Sequence, residues 1–197
     1  MKLQIAFDIT DLDKALYIAE ITQEYADILE VGTLLIYKYG IQAIEQFKEK
    51  FPTKTILADA KIADQSKDAI ILLAQAGADW ITVLAGTKRN IIHTACSVAH
   101  DYGKKIMLDL VDANSLGQSA LEAKSLGVDA LLFHRPSLQD FDMIFSDRWD
   151  MVKGNTQVPI YITSNITREN IVEILSIGAS GIVIGKAIVA AENPQEE

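Results

Sequence analysis

Residues 76–84 read Ala76-Gly77-Ala78-Asp79-Trp80-Ile81-Thr82-Val83-Leu84, a short junction with a glycine followed at once by an apolar run. Similar junctions recur as Leu126-Gly127-Val128-Asp129 and Ile177-Gly178-Ala179-Ser180, each between a helical pattern and a strand pattern. Glycine in such a place supplies the left-handed cap that ends a helix before the chain turns into a strand. The three junctions recur every two strand-helix units, so they indicate a repeated βα architecture.

Short apolar runs and longer amphipathic patterns alternate along the whole chain. The predicted strands are Leu3–Phe7, Ile28–Val31, Thr55–Ala60, Trp80–Leu84, Ile106–Leu110, Ala130–Phe133, Pro159–Thr163 and Gly181–Ile184. The predicted helices are Leu12–Glu24, Ile36–Lys50, Lys67–Ala76, Asn90–Tyr102, Ser115–Leu126, a weak one near Phe141–Met151, and Arg168–Ser176. This alternation implies parallel strands with right-handed crossovers.

We therefore predict one α/β domain over residues 1–197, a single (β/α)8 TIM barrel, with a doubly wound open sheet as the lesser alternative. After the eighth predicted strand only residues 185–197 follow. They leave room for a short helical turn, so the eighth helix should be short or missing.

Composition and charge narrow the class of protein. The chain has 197 residues, 49% hydrophobic and 23% charged, as is usual for a soluble globular protein. Its formal net charge of -9, with the two signs interspersed, argues against a nucleic-acid or anionic-membrane partner. Cys96 is the only cysteine, and no signal-peptide or membrane-spanning run is found, so we expect a cytoplasmic protein.

The third predicted strand ends in a group of charges, Asp59-Ala60-Lys61-Ile62-Ala63-Asp64. Side chains alternate along a strand, so Asp59 and Lys61 should point to the same side, whereas Asp64 lies just past the strand end. Burying a carboxylate and an ammonium costs hydration that their attraction rarely repays. The group therefore indicates chemistry rather than stability, and the alternative is a surface ion pair at a solvated strand end.

Other strands also end in polar residues, and strand ends form the active site of such a barrel. Carboxylates gathered at one mouth repel unless a cation joins them, and their hard oxygens suit Mg²⁺. A histidine there could exchange protons near neutral pH, or could simply be a structural hydrogen bonder. The first acid could instead cap the first helix together with Thr10 or Asp11. The residues in question are Asp8, Glu30, Asp109 and His134.

The last two strands end in Thr163-Ser164-Asn165 and Gly185-Lys186. Loops in these places often bind phosphate through backbone N–H groups, and Lys186 would add a positive charge. The alternative is a plain loop, because Ser164 and Asn165 are bulkier than the glycines that let a backbone approach an anion.

These residues together resemble a known family. Asp59-x-Lys61-x-x-Asp64, Asp8, the Leu29-Glu30-Val31-Gly32-Thr33 segment and the barrel pattern are similar to the orotidine monophosphate decarboxylase suprafamily. Within it, the chain most resembles the branch of 3-hexulose-6-phosphate synthase and 3-keto-L-gulonate-6-phosphate decarboxylase. The similarity covers nearly the whole sequence.

The resemblance implies a carbon-carbon lyase that acts on a sugar phosphate through an enediolate stabilised by Mg²⁺ and Lys61. It implies that Glu30 and Asp59 hold the Mg²⁺, and that Asp8 helps to hold Lys61 and substrate hydroxyls. Asp109 would line the pocket and His134 would move protons. The resemblance also implies a homodimer in which Asp64 reaches the partner's site, with phosphate against Ser164, Asn165, Gly185 and Lys186.

The sequence departs from the family pattern in three loops. Ser164-Asn165 stands where two glycines are usual, and Lys186 where an arginine or a second glycine is usual. The loop from His134 to Gln139 is one residue short and has Ser137 at the place of a decarboxylase arginine. The lead expectation is the synthase reaction of formaldehyde with ribulose 5-phosphate. The alternatives are the decarboxylase and a catalytically impaired barrel that only binds a sugar phosphate or a protein partner. Orotidine monophosphate decarboxylation, which needs no metal, would leave Glu30 unexplained.

Overall fold

The computed structural model describes residues 1–134 and 145–197, and within them eight parallel strands close into a barrel. The strands follow one another around the barrel in chain order, and the last pairs with the first. The predicted TIM barrel is thereby confirmed, and the open sheet is excluded. The strands are β1 (Lys2–Phe7), β2 (Ile28–Val31), β3 (Thr55–Ile62), β4 (Trp80–Leu84), β5 (Lys105–Asp109), β6 (Ala130–His134), β7 (Ile160–Thr163) and β8 (Gly181–Ile184).

Helices connect the strands on the outside of the barrel. In the described part of the chain they are α1 (Leu12–Thr22), α2 (Thr33–Tyr39), α3 (Ile41–Lys50), α4 (Ser66–Gln75), α5 (Arg89–Asp101), α6 (Leu116–Leu126), α7 (Phe145–Lys153), α8 (Ile171–Ser176) and α9 (Lys186–Val189). The helix after β8, α9, has four residues, as the short segment after that strand led us to expect. None of the helices in the described ranges has the length and apolarity to cross a membrane.

The alternation of side chains along the strands separates two apolar clusters. One lies between the strands and the helices and includes Ile5, Leu29 and Ile81. The other is smaller, and its members alternate with the first along the strands, which places them inside the barrel. The inner cluster consists of Ala6, Ile28, Leu57, Met107, Ala130, Leu132, Tyr161 and Val183. Continuing this inward face toward the carboxyl end of each strand leads to the polar residues of the site.

Some predicted boundaries were wrong. The single helix predicted over Ile36–Lys50 is two helices, because Gly40 between them has φ 61 and ψ -143, a backbone conformation that interrupts an α-helix. Strand β3 continues to Ile62, two residues beyond the prediction. Helix α8 begins at Ile171 rather than at Arg168. The weak helix predicted near 141–151 lies partly outside the described residues, and the rest of it falls in α7.

Candidate active site

A cavity of about 1080 Å³ opens at the carboxyl ends of the strands. It brings together nearly all the residues that the sequence singled out. Asp109 lies beside the cavity and contacts two of the side chains that line it. The predicted residues in the lining are Asp8, Glu30, Asp59, Lys61, His134, Ser164, Asn165, Gly185 and Lys186.

Asp59 is buried, and two threonine hydroxyls hold its carboxylate. Thr33 Oγ1 donates to Oδ2 at 2.6 Å, and Thr82 Oγ1 donates to Oδ1 at 2.9 Å. Thr33 belongs to the first turn of α2 and Thr82 to β4, so the carboxylate is fixed from two directions. A buried carboxylate with such donors keeps a defined orientation.

Lys61 occupies an irregular part of β3. Its φ is 45, and the pairing of β3 with β4 shifts register between Ala58 and Ile62, as in a β-bulge. The Lys61 N–H donates to Thr82 Oγ1 at 2.9 Å. Such strain often marks a functional site. Here the bulge turns the Lys61 side chain back toward Asp59.

The Lys61 ammonium lies between two buried carboxylates. Its Nζ is 3.1 Å from Asp59 Oδ2 and 2.7 Å from Asp109 Oδ2. Burial acts to lower the pKa of this ammonium, but the charges of Asp59 and Asp109 outweigh it and raise the pKa above its ordinary value. Lys61 is therefore positively charged at the edge of the cavity over the neutral range of pH.

Asp109 links Lys61 to His134 and is fully buried. Its Oδ1 accepts a hydrogen bond from the Val111 N–H at 2.9 Å and lies 2.7 Å from His134 Nε2. This last contact is close but is not aligned as a hydrogen bond. Burial acts to raise the pKa of Asp109, but His134 and Lys61 lower it below its ordinary value. Asp109 is therefore a carboxylate over the whole neutral range.

Glu30 lies on β2 beside Asp59 and is 6% exposed. Gln4 Nε2 donates to its Oε2 at 2.6 Å, whereas the buried Gln4 Oε1 has no hydrogen-bond partner among the described residues. Burial and, after it, the charge of Asp59 raise the pKa of Glu30 to about 8. This pocket therefore holds more carboxylate charge than its own donors balance.

The donor set around Glu30 fits a hard divalent cation. Mg²⁺ prefers oxygen ligands, and here two buried carboxylates lie near an amide oxygen that has no hydrogen-bond partner within residues 1–134 and 145–197. No group of three or more acidic, histidine or cysteine ligands is found in the described ranges. This is compatible with Mg²⁺, which usually keeps several waters and is bound by one or two carboxylates.

Asp8 and Asp64 differ from the acids inside the barrel, because both are exposed. Asp8 lines the cavity, and its Oδ1 accepts from the Leu34 N–H at 3.2 Å, in the first turn of α2. The alternative that Asp8 caps α1 was wrong for this residue, since Asp11 alone makes that cap. Asp64 does not line the cavity of its own barrel. It lies in a separate surface pocket of about 270 Å³ beside Ser66 and Asn90.

The loops after the neighbouring strands β7 and β8 lie side by side at one edge of the cavity. Ser164 and Asn165 have φ values of 80 and 51, in the left-handed region that glycine takes without strain. Ser164 Oγ lies 3.3 Å from His134 Nδ1. Lys186 begins α9, directly after Gly185. The sequence features noted after His134, including Ser137 and Gln139, lie outside the described residues.

Three supporting residues were missed by sequence reasoning, namely Gln4, Thr33 and Thr82. Gln4 and Thr82 are both fully buried in strands. A polar residue at an inward position of a barrel strand is a usable signal for such residues. Thr33 gave no comparable signal, because a threonine in the first turn of a helix is common for local reasons.

Comparisons with known proteins agree with this geometry. The model of the "Orotidine 5'-phosphate decarboxylase / HUMPS family" matches residues 1–197. The 3-hexulose-6-phosphate synthase of Bacillus subtilis (strain 168) is 29% identical over 198 residues, with 100% of this chain and 94% of that protein covered.

Two solved structures are also similar to the chain. The 3-hexulose-6-phosphate synthase from Salmonella typhimurium has a TM-score of 0.92 at 31% identity, covering 100% of this chain and 94% of the other. The 3-keto-L-gulonate-6-phosphate decarboxylase from Vibrio cholerae has a TM-score of 0.83 at 26% identity, covering 99% and 92%. The chain therefore belongs to the orotidine 5'-phosphate decarboxylase / HUMPS family.

Proposed function

We propose that the protein is a carbon-carbon lyase that reversibly joins formaldehyde to ribulose 5-phosphate, the reaction of a 3-hexulose-6-phosphate synthase. The observation that carries the proposal is the Lys61 ammonium, held between Asp59 and Asp109 at the edge of the cavity. The named relatives support this choice of reaction. In the joining direction a proton leaves carbon 1 of the sugar phosphate, and the resulting enediolate adds to the aldehyde carbon. The new alkoxide then takes up a proton.

Lys61 would stabilise the negative charge that develops on the enediolate oxygens. A fixed ammonium in a partly desolvated site supports such charge without having to reorient during the reaction. Asp59 and Asp109 keep Lys61 protonated and in place, as its raised pKa indicates. Asp8, which lines the same cavity, would orient substrate hydroxyls.

We propose Mg²⁺ as the cofactor, with Glu30 and Asp59 as its protein ligands. When bound there, a divalent cation would polarise the substrate carbonyl and balance the carboxylate charge. The support is the buried pair of carboxyl groups, whose repulsion helps to raise the pKa of Glu30, and the Gln4 Oε1, which has no hydrogen-bond partner in the part of the chain that the structure describes.

His134 is the group that we propose for proton transfer. It lines the cavity, and imidazole can give or take a proton near neutral pH. Asp109 would stabilise the ring when it becomes positively charged, because its carboxylate lies 2.7 Å from Nε2.

The substrate phosphate would lie against Ser164, Asn165, Gly185 and Lys186, at the side of the cavity formed by the loops after β7 and β8. Lys186 would supply a positive charge for the phosphate. Ser164 and Asn165 have the left-handed backbone conformation that glycine usually adopts in such a loop. The side-chain hydroxyl and amide of these two residues would then replace part of the backbone contact.

The variant Lys61→Ala tests the proposed reaction. The rate of formaldehyde uptake with ribulose 5-phosphate should fall by at least about 100-fold. This is the usual loss when a group that stabilises charge in the transition state is removed. Lys124→Ala, on the exposed face of α6, is the matched control and should keep wild-type activity. Retained activity in Lys61→Ala would overturn the proposal.

The wild-type protein should also be assayed for CO₂ release from 3-keto-L-gulonate 6-phosphate and titrated with ribulose 5-phosphate by calorimetry. CO₂ release without formaldehyde uptake would identify the decarboxylase reaction. Binding without either turnover would identify a barrel that has kept its ligand site and lost catalysis.

We further propose that the protein acts as a homodimer, with Asp64 contributed to the partner's site. The support is that Asp64 is exposed and lies outside the cavity of its own barrel. Lys61→Ala and Asp64→Ala should each be inactive alone. When they are mixed, unfolded and refolded together, activity should return in part, because each heterodimer has one site with both native residues. If heterodimers form but activity does not return, the shared site is refuted.

A further inference from the structure

His134 is held on two sides by groups of different character. Its Nε2 lies 2.7 Å from Asp109 Oδ1, and its Nδ1 lies 3.3 Å from Ser164 Oγ. Asp109 comes from the neighbouring strand β5, whereas Ser164 follows β7 on the other side. The ring therefore lies between the ends of two strands that flank β6 on opposite sides.

The protonation of the neutral ring follows from these contacts. Asp109 already accepts from the Lys61 ammonium and from the Val111 N–H, so it is a carboxylate and has no proton to give. Two acceptors would repel at the 2.7 Å that separates Nε2 from this carboxylate, so the hydrogen of the neutral ring belongs on Nε2, although the contact is not aligned as a hydrogen bond. This leaves the lone pair of the neutral ring on Nδ1, and the Ser164 hydroxyl is the group placed to donate to it.

The backbone at Ser164 points to the same conclusion. Its φ of 80 lies in the left-handed region, which is unfavourable for any residue with a Cβ. Glycine would take this conformation without strain, so a side chain here carries a conformational cost. The contact that the side chain makes in return is the one with Nδ1 of His134.

We propose that Ser164 is a positioning residue for His134, its hydroxyl donating to Nδ1 so that the ring keeps Nε2 toward Asp109. The inference rests on the proposed function in so far as His134 transfers protons there. Ser164 stands where the family usually has a phosphate-binding glycine, so this residue would act on His134 as well as on the phosphate. Ser164 fixes which ring nitrogen has the lone pair and where that lone pair lies.

The first test is ¹⁵N NMR of the histidine rings, which needs no substrate. The chain has three histidines, and His134→Gln assigns the resonances of this one. The wild-type ring should be the Nε2–H tautomer with a hydrogen-bonded Nδ1. In Ser164→Ala the Nδ1 resonance should move toward that of an unbonded lone pair. An Nδ1–H tautomer in the wild type, or an unchanged resonance in Ser164→Ala, would overturn the proposal.

Asn165→Ala is the control for a general disturbance of the loop. Asn165 shares the left-handed backbone and lines the same cavity, but it makes no hydrogen bond to His134 among the described residues. Its removal should raise KM through weaker phosphate binding and leave the His134 resonances in place. A shift of His134 Nδ1 in Asn165→Ala as large as in Ser164→Ala would contradict the specific contact.

The second test compares Ser164→Ala with Ser164→Gly in the condensation assay. If the hydroxyl positions His134, kcat should fall by about tenfold in both variants, while KM stays near the wild-type value. A tenfold loss is part of the rate enhancement that a general base supplies. If Ser164 only shapes a phosphate loop, Ser164→Gly should keep wild-type kcat, and that result overturns the proposal. A wild-type protein without turnover would overturn the proposed function instead, and the NMR result would still decide whether Ser164 holds the ring.

Discussion

Thr82→Val removes a hydroxyl that supports both charged residues of β3 and changes almost nothing else in shape. Thr82 is fully buried, and its Oγ1 donates to Asp59 Oδ1 and accepts from the Lys61 N–H, both at 2.9 Å. Valine fills the same space but leaves the backbone N–H of Lys61 without this acceptor. It also removes one of the two threonine donors to the Asp59 carboxylate.

The expected cost follows from these two contacts. A hydrogen bond to a charged group is worth about 1.5–3 kcal/mol, and a buried donor left unpaired costs about 1–3 kcal/mol. Allowing for overlap, the variant should lose about 2–4 kcal/mol of folding free energy. For a domain of this size each kcal/mol lowers Tm by about 2–4 °C, so a decrease of roughly 4–16 °C is expected. Since Lys61 is held at φ 45 partly by this bond, kcat should also fall.

Thermal denaturation followed by circular dichroism measures the effect, and Thr22→Val is the matched control. Thr22 is also buried, at 2% exposure, but its hydroxyl only donates back to the Ile18 carbonyl within α1, at 2.7 Å. A helix carbonyl already accepts from the backbone one turn further on, so this loss should change Tm little. If the Tm of Thr82→Val lay within about 2 °C of the Tm of Thr22→Val, the free energies assigned to the two hydrogen bonds of Thr82 would be wrong.

Two further predictions concern other carboxylates. Burial acts to raise the pKa of Asp79, but hydrogen bonds from Lys48, the Ile56 N–H and Lys104 outweigh it and lower the pKa. The stabilisation by Asp79 is therefore complete above its unfolded pKa of about 4 and is lost as the pH falls through the lower folded pKa. Asp79→Asn should accordingly lower Tm at pH 7, and a difference from wild type that did not shrink below about pH 4 would contradict this. Glu30→Gln should abolish the rise in Tm that Mg²⁺ gives the wild type, whereas a persisting rise would place the cation elsewhere. Because the pKa of Glu30 is raised to about 8, its penalty on the folded state grows as the pH rises from about 4.5 to 8. In the absence of metal, Glu30→Gln should not lower Tm at pH 7.

The barrel could be predicted because its signals are local and repeated. Apolar runs, amphipathic patterns and glycine junctions such as Gly127 each depend on a few neighbouring residues, and all of them agree. The break at Gly40 was missed because the apolar pattern of α2 and α3 runs through it, while the backbone turns at a single residue. Boundaries set by one φ angle are not visible in hydrophobic periodicity.

The site was predictable only where a charge interrupts an apolar strand. Glu30, Asp59 and Asp109 are such cases, and the structure places all three in or beside the cavity. The bulge that turns Lys61 toward Asp59, by contrast, depends on contacts across strands and leaves no mark in the local sequence. The same holds for the contact of Ser164 with His134, which joins residues 30 positions apart.

The two ends of the barrel use the same residue type for opposite purposes. At the amino-terminal end, Asp27, Asp79 and Asp129 each accept from the backbone N–H of the preceding strand, at 2.8, 3.0 and 2.8 Å. Ser180 makes the fourth such contact, to the Ile160 N–H at 3.2 Å. Each of these residues also donates its own N–H to the carbonyl of the same partner.

This fourfold pattern explains why the junctions at 76–79, 126–129 and 177–180 recur in the sequence. The carboxylates of Asp79 and Asp129 and the hydroxyl of Ser180 satisfy backbone donors there, so stability accounts for their presence. The carboxylates of Asp59 and Asp109, by contrast, contact Lys61, and Asp109 also lies beside His134. Burial and, after it, the charge of Asp59 raise the pKa of Glu30 to about 8. Such an arrangement fits a charged ligand bound in the cavity, so the lysine-carboxylate group, more than the barrel itself, supports the proposed chemistry.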